Sequence, residues 1–292
     1  MNVQGRDCGI TLKTGYRELG LPYAEETIRE AVSLLKEEAA IEGDGNCGAI
    51  RVSRGGTGCV VTPLSIGTAP LLFALALGRA GLPVYVSGTR VLYCHPVCLV
   101  PMESGLSFDL IQDRGAVRTL YEGCRVRGFE LRVMRNEWKQ ASLIKLKLDI
   151  AGDMPPVPYP YLEKAAVCGG ERFNEDRVSY RINGIEQKNI YGLTIAVRRA
   201  GGTQTEVWIH RVLGETGELP PLIESLEITA QLLNDHYVHC MYGAFRLSLS
   251  RLALMADETA VNAADALIGP LRYYCTGSFS AEVYNTEEGV IE

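Results

Sequence analysis

Two short stretches hold the side chains best suited to chemistry. Cys94-His95-Pro96-Val97-Cys98 places two thiols and an imidazole within five residues, and Asp235-His236-Tyr237-Val238-His239-Cys240 places two imidazoles beside a thiol. Pooled, they offer enough ligands for a tetrahedral zinc site. Their spacing argues against one. Neither stretch has a C-x2-C or H-x3–5-H frame, and about 140 residues separate them. If 94–98 is a strand, alternation also sends Cys94 and His95 to opposite faces.

Other candidates are weaker still. The nine cysteines (8, 47, 59, 94, 98, 124, 168, 240 and 275) are irregularly spaced and odd in number. That pattern fits reduced, mostly buried thiols better than a disulfide framework. A nucleophilic cysteine would have to meet one of four histidines (His95, His210, His236, His239) in space, which no local motif enforces. Arg54-Gly55-Gly56-Thr57-Gly58 lacks the lysine and trailing helix of a phosphate cradle, so it reads as a turn. Glu25-Glu26 and Glu37-Glu38 read as solvated acids on one side of a helix. The expectation is no catalytic residue, no cofactor and no metal site.

The elements that would position these groups are mostly strands. Period-2 alternation marks 125–134, 142–150, 178–182, 190–198, 206–212, 225–233, 245–254 and 278–284. Two helices are predicted. One covers 24–40, where Ile28, Ala31, Val32, Leu35 and Ala39 recur at helical spacing before Gly43-Asp44-Gly45. The other is Ala69–Leu77, apolar all round and therefore buried, with Thr68 as N-cap, Pro70 in the first turn and Gly78 as stop. A third, short helix is expected over 259–268 before Gly269-Pro270. Many strands with few helices point to a mainly β, β-rich α+β fold of the sandwich or barrel type.

Met154-Pro155-Pro156-Val157-Pro158-Tyr159-Pro160 reads as a stiff extended connector. It divides the chain into an N-terminal domain (1–154), a linker (155–160) and a C-terminal domain (161–292). Residues 125–135, RVRGFELRVMR, align without a gap on 189–199, NIYGLTIAVRR, sharing glycine at 128/192, apolar residues at 129/193, 131/195 and 133/197, and a closing arginine. In each half an alternating strand follows, which suggests a duplicated domain.

With 292 residues, 47% hydrophobic and 22% charged, the chain has the composition of a globular protein rather than a disordered or fibrous one. No apolar run approaches the ~20 residues of a membrane-spanning helix, and MNVQGRDCG does not read as a signal peptide. The formal net charge of −6 argues against a general grip on nucleic acid. Its distribution is uneven. Residues 51–200 carry 20 Lys+Arg against 13 Asp+Glu, whereas 201–292 carry 4 against 13. Segregation of this kind suits complementary subunit contacts.

The stretch Leu120-Tyr121-Glu122-Gly123-Cys124-Arg125-Val126-Arg127-Gly128-Phe129-Glu130-Leu131 resembles the "Y-x-G-C-x-V" strand of bacteriophage tail tube proteins. Lys147-Leu148-Asp149-Ile150-Ala151-Gly152 resembles the strand that closes the same half. Thr62-Pro63 through Leu71–Gly78 is similar to their strand-then-helix element, and Leu106–Gln112 to the return strand. The resemblance is best over 60–152, and the predicted helix at 24–40 departs from it, because an extended arm belongs there. It implies two tandem tube-like β-sandwich or barrel domains, each giving strands to an inner tube barrel. It also implies a structural virion protein of the phage tail, made in the bacterial host cytoplasm. The partners implied are the chain itself, as a ring trimer with pseudo-sixfold symmetry or as a hexamer in rings stacked head to tail, and other phage tail proteins. Genomic DNA would pass through the lumen without specific binding, and no membrane is involved. The alternatives are a tail terminator, a connector or a contractile-injection tube on the same fold, or a cytosolic zinc-dependent enzyme using Cys94, His95, Cys98, His236, His239 and Cys240.

Overall fold

Alternating segments become strands because one face of each finds an apolar partner, and every long alternating run in the sequence does so here. The computed structural model describes residues 8–15, 17–36, 49–87, 92–115, 117–134, 142–160, 166–167, 170–212, 219–234, 240–257 and 268–286. In chain order these form β1 (Cys8–Thr14), β2 (Arg17–Leu21), β3 (Glu25–Glu26), β4 (Arg29–Lys36), β5 (Ala49–Pro63), α1 (Ala69–Leu77), β6 (Gly78–Ala80), β7 (Val84–Tyr85), β8 (Tyr93–Leu99) and β9 (Phe108–Arg114). There follow β10 (Arg118–Met134), β11 (Lys145–Ala151), β12 (Val157–Pro158), β13 (Val178–Ile182), β14 (Ile185–Gln187) and β15 (Ile190–Arg198). The last are β16 (Gln204–Val212), β17 (Leu222–Asn234), β18 (Cys240–Asp257), β19 (Ile268–Cys275) and β20 (Phe279–Asn285).

All the strand pairs are antiparallel. A large sheet runs β3 and β4 in line, then β5, β11, β10, β15, β16, β19 and the end of β18. A facing sheet runs β14, β13, β17, β18, β20, β8, then β6 and β7 in line. A side sheet of β2, β1, β9 and the first half of β10 completes the set, with β12 on its rim. Two long strands serve two sheets each. β10 changes partners at Gly123, whose φ of +62° suits glycine, and β18 changes at Arg251, with φ of +55°. The pairing path never returns on itself, so the fold is an open sandwich rather than a closed barrel.

One core lies between the large and facing sheets and takes residues from both halves of the chain. Phe129 of β10 meets Phe279 of β20 across it, with ring centroids 6.0 Å apart. The helix α1 plugs one end, and all nine of its residues are buried, as its all-round apolar sequence requires. A nine-residue helix is unstable alone, so packing holds it, together with one buried cation. The side chain of Arg199 is 1% exposed and donates to the carbonyls of Leu75 and Ala76 at the helix end (3.2 and 3.3 Å), of Val100 and Pro101 (2.9 and 3.2 Å), and of Val126 in β10 (2.9 Å). Gly78 stops the helix in the left-handed region (φ +99°). It also makes room for this guanidinium, since a Cβ on Gly78 or Gly105 would lie 2.1 Å from Arg199 Nη2. Thr68 occupies the N-cap position, but its hydroxyl bonds Ser65 Oγ at 2.9 Å instead of the helix.

The repeated segments turn out to be neighbours. β10 and β15 pair antiparallel in the register Gly128↔Arg198, Leu131↔Ile195 and Met134↔Gly192. The aligned residues Leu131 and Ile195 face each other, so a local two-fold axis perpendicular to the sheet passes between them. Both strands break register at the equivalent place, Val126/Gly128 against β11 and Ile190/Gly192 against β16. The shared glycine follows from this symmetry. A Cβ on Gly128 would lie 2.7 Å from the Val197 carbonyl oxygen, and one on Gly192 would lie 3.0 Å from that of Val133. The proline-rich 155–160 is extended but not free: Val157 and Pro158 pair with Leu120 and Thr119.

The helix expected over 24–40 is replaced by strands β3 and β4, with 37–40 and Gly43–Gly45 outside the described residues. Pairing Val32↔Ser53 through Lys36↔Ala49 satisfies the backbone along β5, and this ladder overrides a weak helical preference. The glycine-rich 54–58 is not a turn but part of β5. Its glycines let chains cross closely: a Cβ on Gly58 would meet Ile28 Cα at 2.5 Å and one on Gly56 would meet the Tyr121 ring at 2.3 Å. The short helix expected at 259–268 lies outside the described residues except for Ile268, which opens β19.

Two stability predictions follow from this packing. Replacing Arg199 by Met removes the donor from five carbonyls and should cost about 3 kcal/mol or more, with Lys recovering only part of the loss; urea titration followed by circular dichroism reads this. Gly58→Ala should cost about 1–3 kcal/mol by forcing two backbones apart, measured in the same way.

Candidate functional site

Strand β8 carries the first cluster, and alternation divides it. His95 is buried (2% exposed) and its Nε2 lies 2.8 Å from Asn285 Oδ1, so the imidazole ties β8 to β20. Cys94 and Cys98 project from the opposite face, four residues and so roughly 13 Å apart along the strand. Cys94 neighbours Tyr284, whose hydroxyl donates to Glu282 Oε2 at 2.7 Å. Burial pushes the Cys94 thiol above its ordinary value, and burial followed by the hydrogen bond to Glu282 holds the Tyr284 phenol well above its own. A protonated thiol beside a protonated phenol is neither nucleophile nor base. The second cluster, His236 to His239, lies outside the described residues. Among the described residues no three His, Cys, Asp or Glu side chains converge as metal ligands.

Two sets of polar side chains elsewhere bind strand to strand. The Arg118 Nε donates to Asp113 Oδ2 at 2.9 Å, both side chains almost fully buried. Glu26 is not the solvated acid expected from the sequence. Its carboxylate accepts from the Ile28 amide, Gln112 and Arg114, fastening β3 to β9. These bonds hold strands together. His210, on the outer face of β16, has its pKa lowered by burial beside Trp208 and Met134.

The exposed surfaces are more distinctive than the polar interior. On the free face of the large sheet, basic side chains (Arg29, Arg125, Arg127, Arg132, Lys145, Lys147, Arg198 and Arg272) outnumber carboxylates (Glu25, Glu130, Asp149 and Glu206) among the described residues. The free face of the facing sheet is hydroxyl-rich instead, with Ser179, Thr229, Ser248, Ser250 and Ser280. At the ends of the large sheet lie exposed apolar side chains: Val32 on β4, and Leu222, Leu254 and Met255 where β17 and β18 meet. Gly56 is the last residue of β5 to bond inward, to Gly152, and beyond it β5 pairs only with β4 among the described residues, so residues 32–36 and 49–55 form a two-stranded ribbon overhanging the sheet. Sequence reasoning missed all three surfaces, because strand order decides which alternating faces share a plane.

Thiol burial is open to a direct chemical test. Burial pushes Cys124 up to about 12 and also raises Cys275, while Cys98 is exposed. At pH 8, iodoacetamide should therefore modify Cys98 in the native chain and leave Cys124 and Cys275 untouched until denaturant is added, as read by peptide mass spectrometry. No protein-family model matches the chain, and no curated protein matches it significantly.

Proposed function

We propose that this chain is a structural subunit that assembles with copies of itself into stacked rings, as the tail tube of a bacteriophage or prophage. The observation that carries this reading is the open large sheet, with chain edges available at both ends. Among the described residues, β3 and β4 have no outer neighbour at one end, and at the other the last residues of β18 have a free side. Open edges invite pairing with another chain, and joining opposite ends of one sheet is a head-to-tail contact that closes a ring. Eight strands is an even number, so antiparallel alternation continues across each junction.

Strand arithmetic favours three chains. At about 4.8 Å per strand, three chains close a circumference of roughly 115 Å, a backbone cylinder of about 37 Å diameter. That is wide enough for a nucleic-acid duplex, whereas six chains would double it. The overhanging ribbon supplies a stacking contact. It extends about 23 Å beyond the sheet, and a lone two-stranded ribbon is marginal in water, so it gains by lying against another copy. The motifs behind the resemblance support the same reading through their structural work. Gly123 and Cys124 bend β10 from one sheet to another, and Gly152 closes against Gly56 through paired backbone hydrogen bonds of 2.8 and 3.2 Å. A virion location follows from this proposal.

Negative-stain images of the concentrated chain should show rings and short tubes, and native mass spectrometry should count three chains per ring. Leu254→Asp with Met255→Asp should abolish rings without unfolding the monomer. Replacing 32–53 by Asn-Gly, which removes most of the ribbon, should leave rings but prevent stacking. A wild-type chain that stays monomeric at millimolar concentration would overturn the proposal.

A further inference from the structure

We infer that the free face of the large sheet is a sequence-independent binding surface for the phosphate backbone of nucleic acid. The argument begins with charges that the sheet itself does not neutralise. Arg132 pairs with Glu130, Lys147 Nζ lies 3.9 Å from Asp149, and Arg272 Nη2 lies 2.8 Å from Glu206. Lys145, Arg127 and Arg198 have no carboxylate within ion-pair reach among the described residues. Lys145 also stands directly opposite Arg132 in the β10–β11 register, both exposed on the same face. Like charges directly opposite across a strand pair are destabilising, so this pair costs stability to display. The local two-fold sharpens the point. The positions equivalent to Arg132 and Lys145 are Ala196 and Glu206, which are also directly opposite. The same backbone therefore accommodates a neutral–acidic pair on one half and a doubly cationic pair on the other.

The cations are spread over the face rather than gathered at one point. Lys145, Arg132 and Lys147 lie toward one end of the strands. Arg127 and Arg198 lie about four residues along, roughly 13 Å away. A polymer with regularly spaced charges can engage both groups at once; a single small anion cannot. Trp208 adds an amphipathic surface in the same row across the sheet as Arg132 and Lys145, with the Arg272 guanidinium 5.5 Å from its ring centroid. Nothing on the face reads base edges, so contact is with phosphates and falls with salt through counterion release. The chain's net charge of −6 conceals this surface, since the excess negative charge lies elsewhere. In a ring this face would line the channel, and only that placement rests on the proposed assembly.

The test is fluorescence anisotropy of a labelled 20-base-pair duplex with the full chain, kept below the concentration at which rings form. Binding is expected at 20 mM salt, weakening with a log–log slope near −3. Lys145→Ala and Arg198→Ala should each lower affinity several-fold and reduce the slope by about one, while Arg246→Ala on the facing sheet changes neither. No binding at 20 mM salt, or a slope unmoved by the first two variants, overturns the inference. Binding of poly-glutamate but not DNA also overturns it, in favour of an acidic protein partner. Rings without DNA binding would sink this inference alone, and DNA binding without rings would sink the assembly alone.

Discussion

A buried guanidinium with no carboxylate beside it is an expensive thing to place in a protein core, and most of this fold is arranged around one. Desolvation pulls the pKa of Arg199 below the ordinary arginine value, with Glu103 opposing the shift from a distance. Carbonyl dipoles do the compensating instead. They come from the end of α1, from 100–101 and from β10, three segments that would otherwise leave acceptors unpaired inside the sandwich. The arrangement suits helix physics, because the C-terminus of a helix is its negative end. It also explains two glycines at once: Gly78 and Gly105 both stand where a side chain would displace the cation.

The large sheet depends on a second constraint, close approach between backbones. Its central pair, β10 and β15, meets across a local two-fold axis, and glycine recurs at 128 and 192 because each strand's bulge presses on the other's carbonyl. Near the edge, Gly56 and Gly58 let β5 pass beneath Tyr121 and the segment entering β4. A strand rich in glycine is intrinsically weak, and here the weakness is offset by pairing on both sides over 57–63. Among the described residues, 49–55 have pairing on one side only, which is why the overhanging ribbon is the part of the sheet most in need of a neighbour.

Edges and charge act at different ranges. Edge pairing and the apolar side chains at the sheet ends operate only on contact, so they determine how copies of the chain join. The cationic face acts over roughly a Debye length, about 10 Å at 0.1 M salt, and so governs what approaches the wall once it is built. A protein of net negative charge can carry such a face because its acidic residues are segregated in sequence and are largely absent from the two central strand pairs.

Local pattern determined the elements whose neighbours did not matter. The period-2 runs at 125–134, 190–198 and 225–233 are strands, and Ala69–Leu77 is a buried helix ending at Gly78, because alternation and all-round apolarity are local properties. The repeat at 125–135 and 189–199 was visible, and Arg199 was seen only as the residue closing it. Tertiary structure decided the rest. It made 24–36 extended, since a ladder along β5 outweighed a helical spacing of apolar residues. It turned Glu26 from a solvated acid into a partly buried acceptor, and 54–58 from a turn into a crossing. It also joined the two repeats into one sheet over a single core. Strand order is a long-range property: residues sixty or more positions apart share a face only after pairing. That is why neither the cation site of Arg199 nor the basic face could be located from spacing alone.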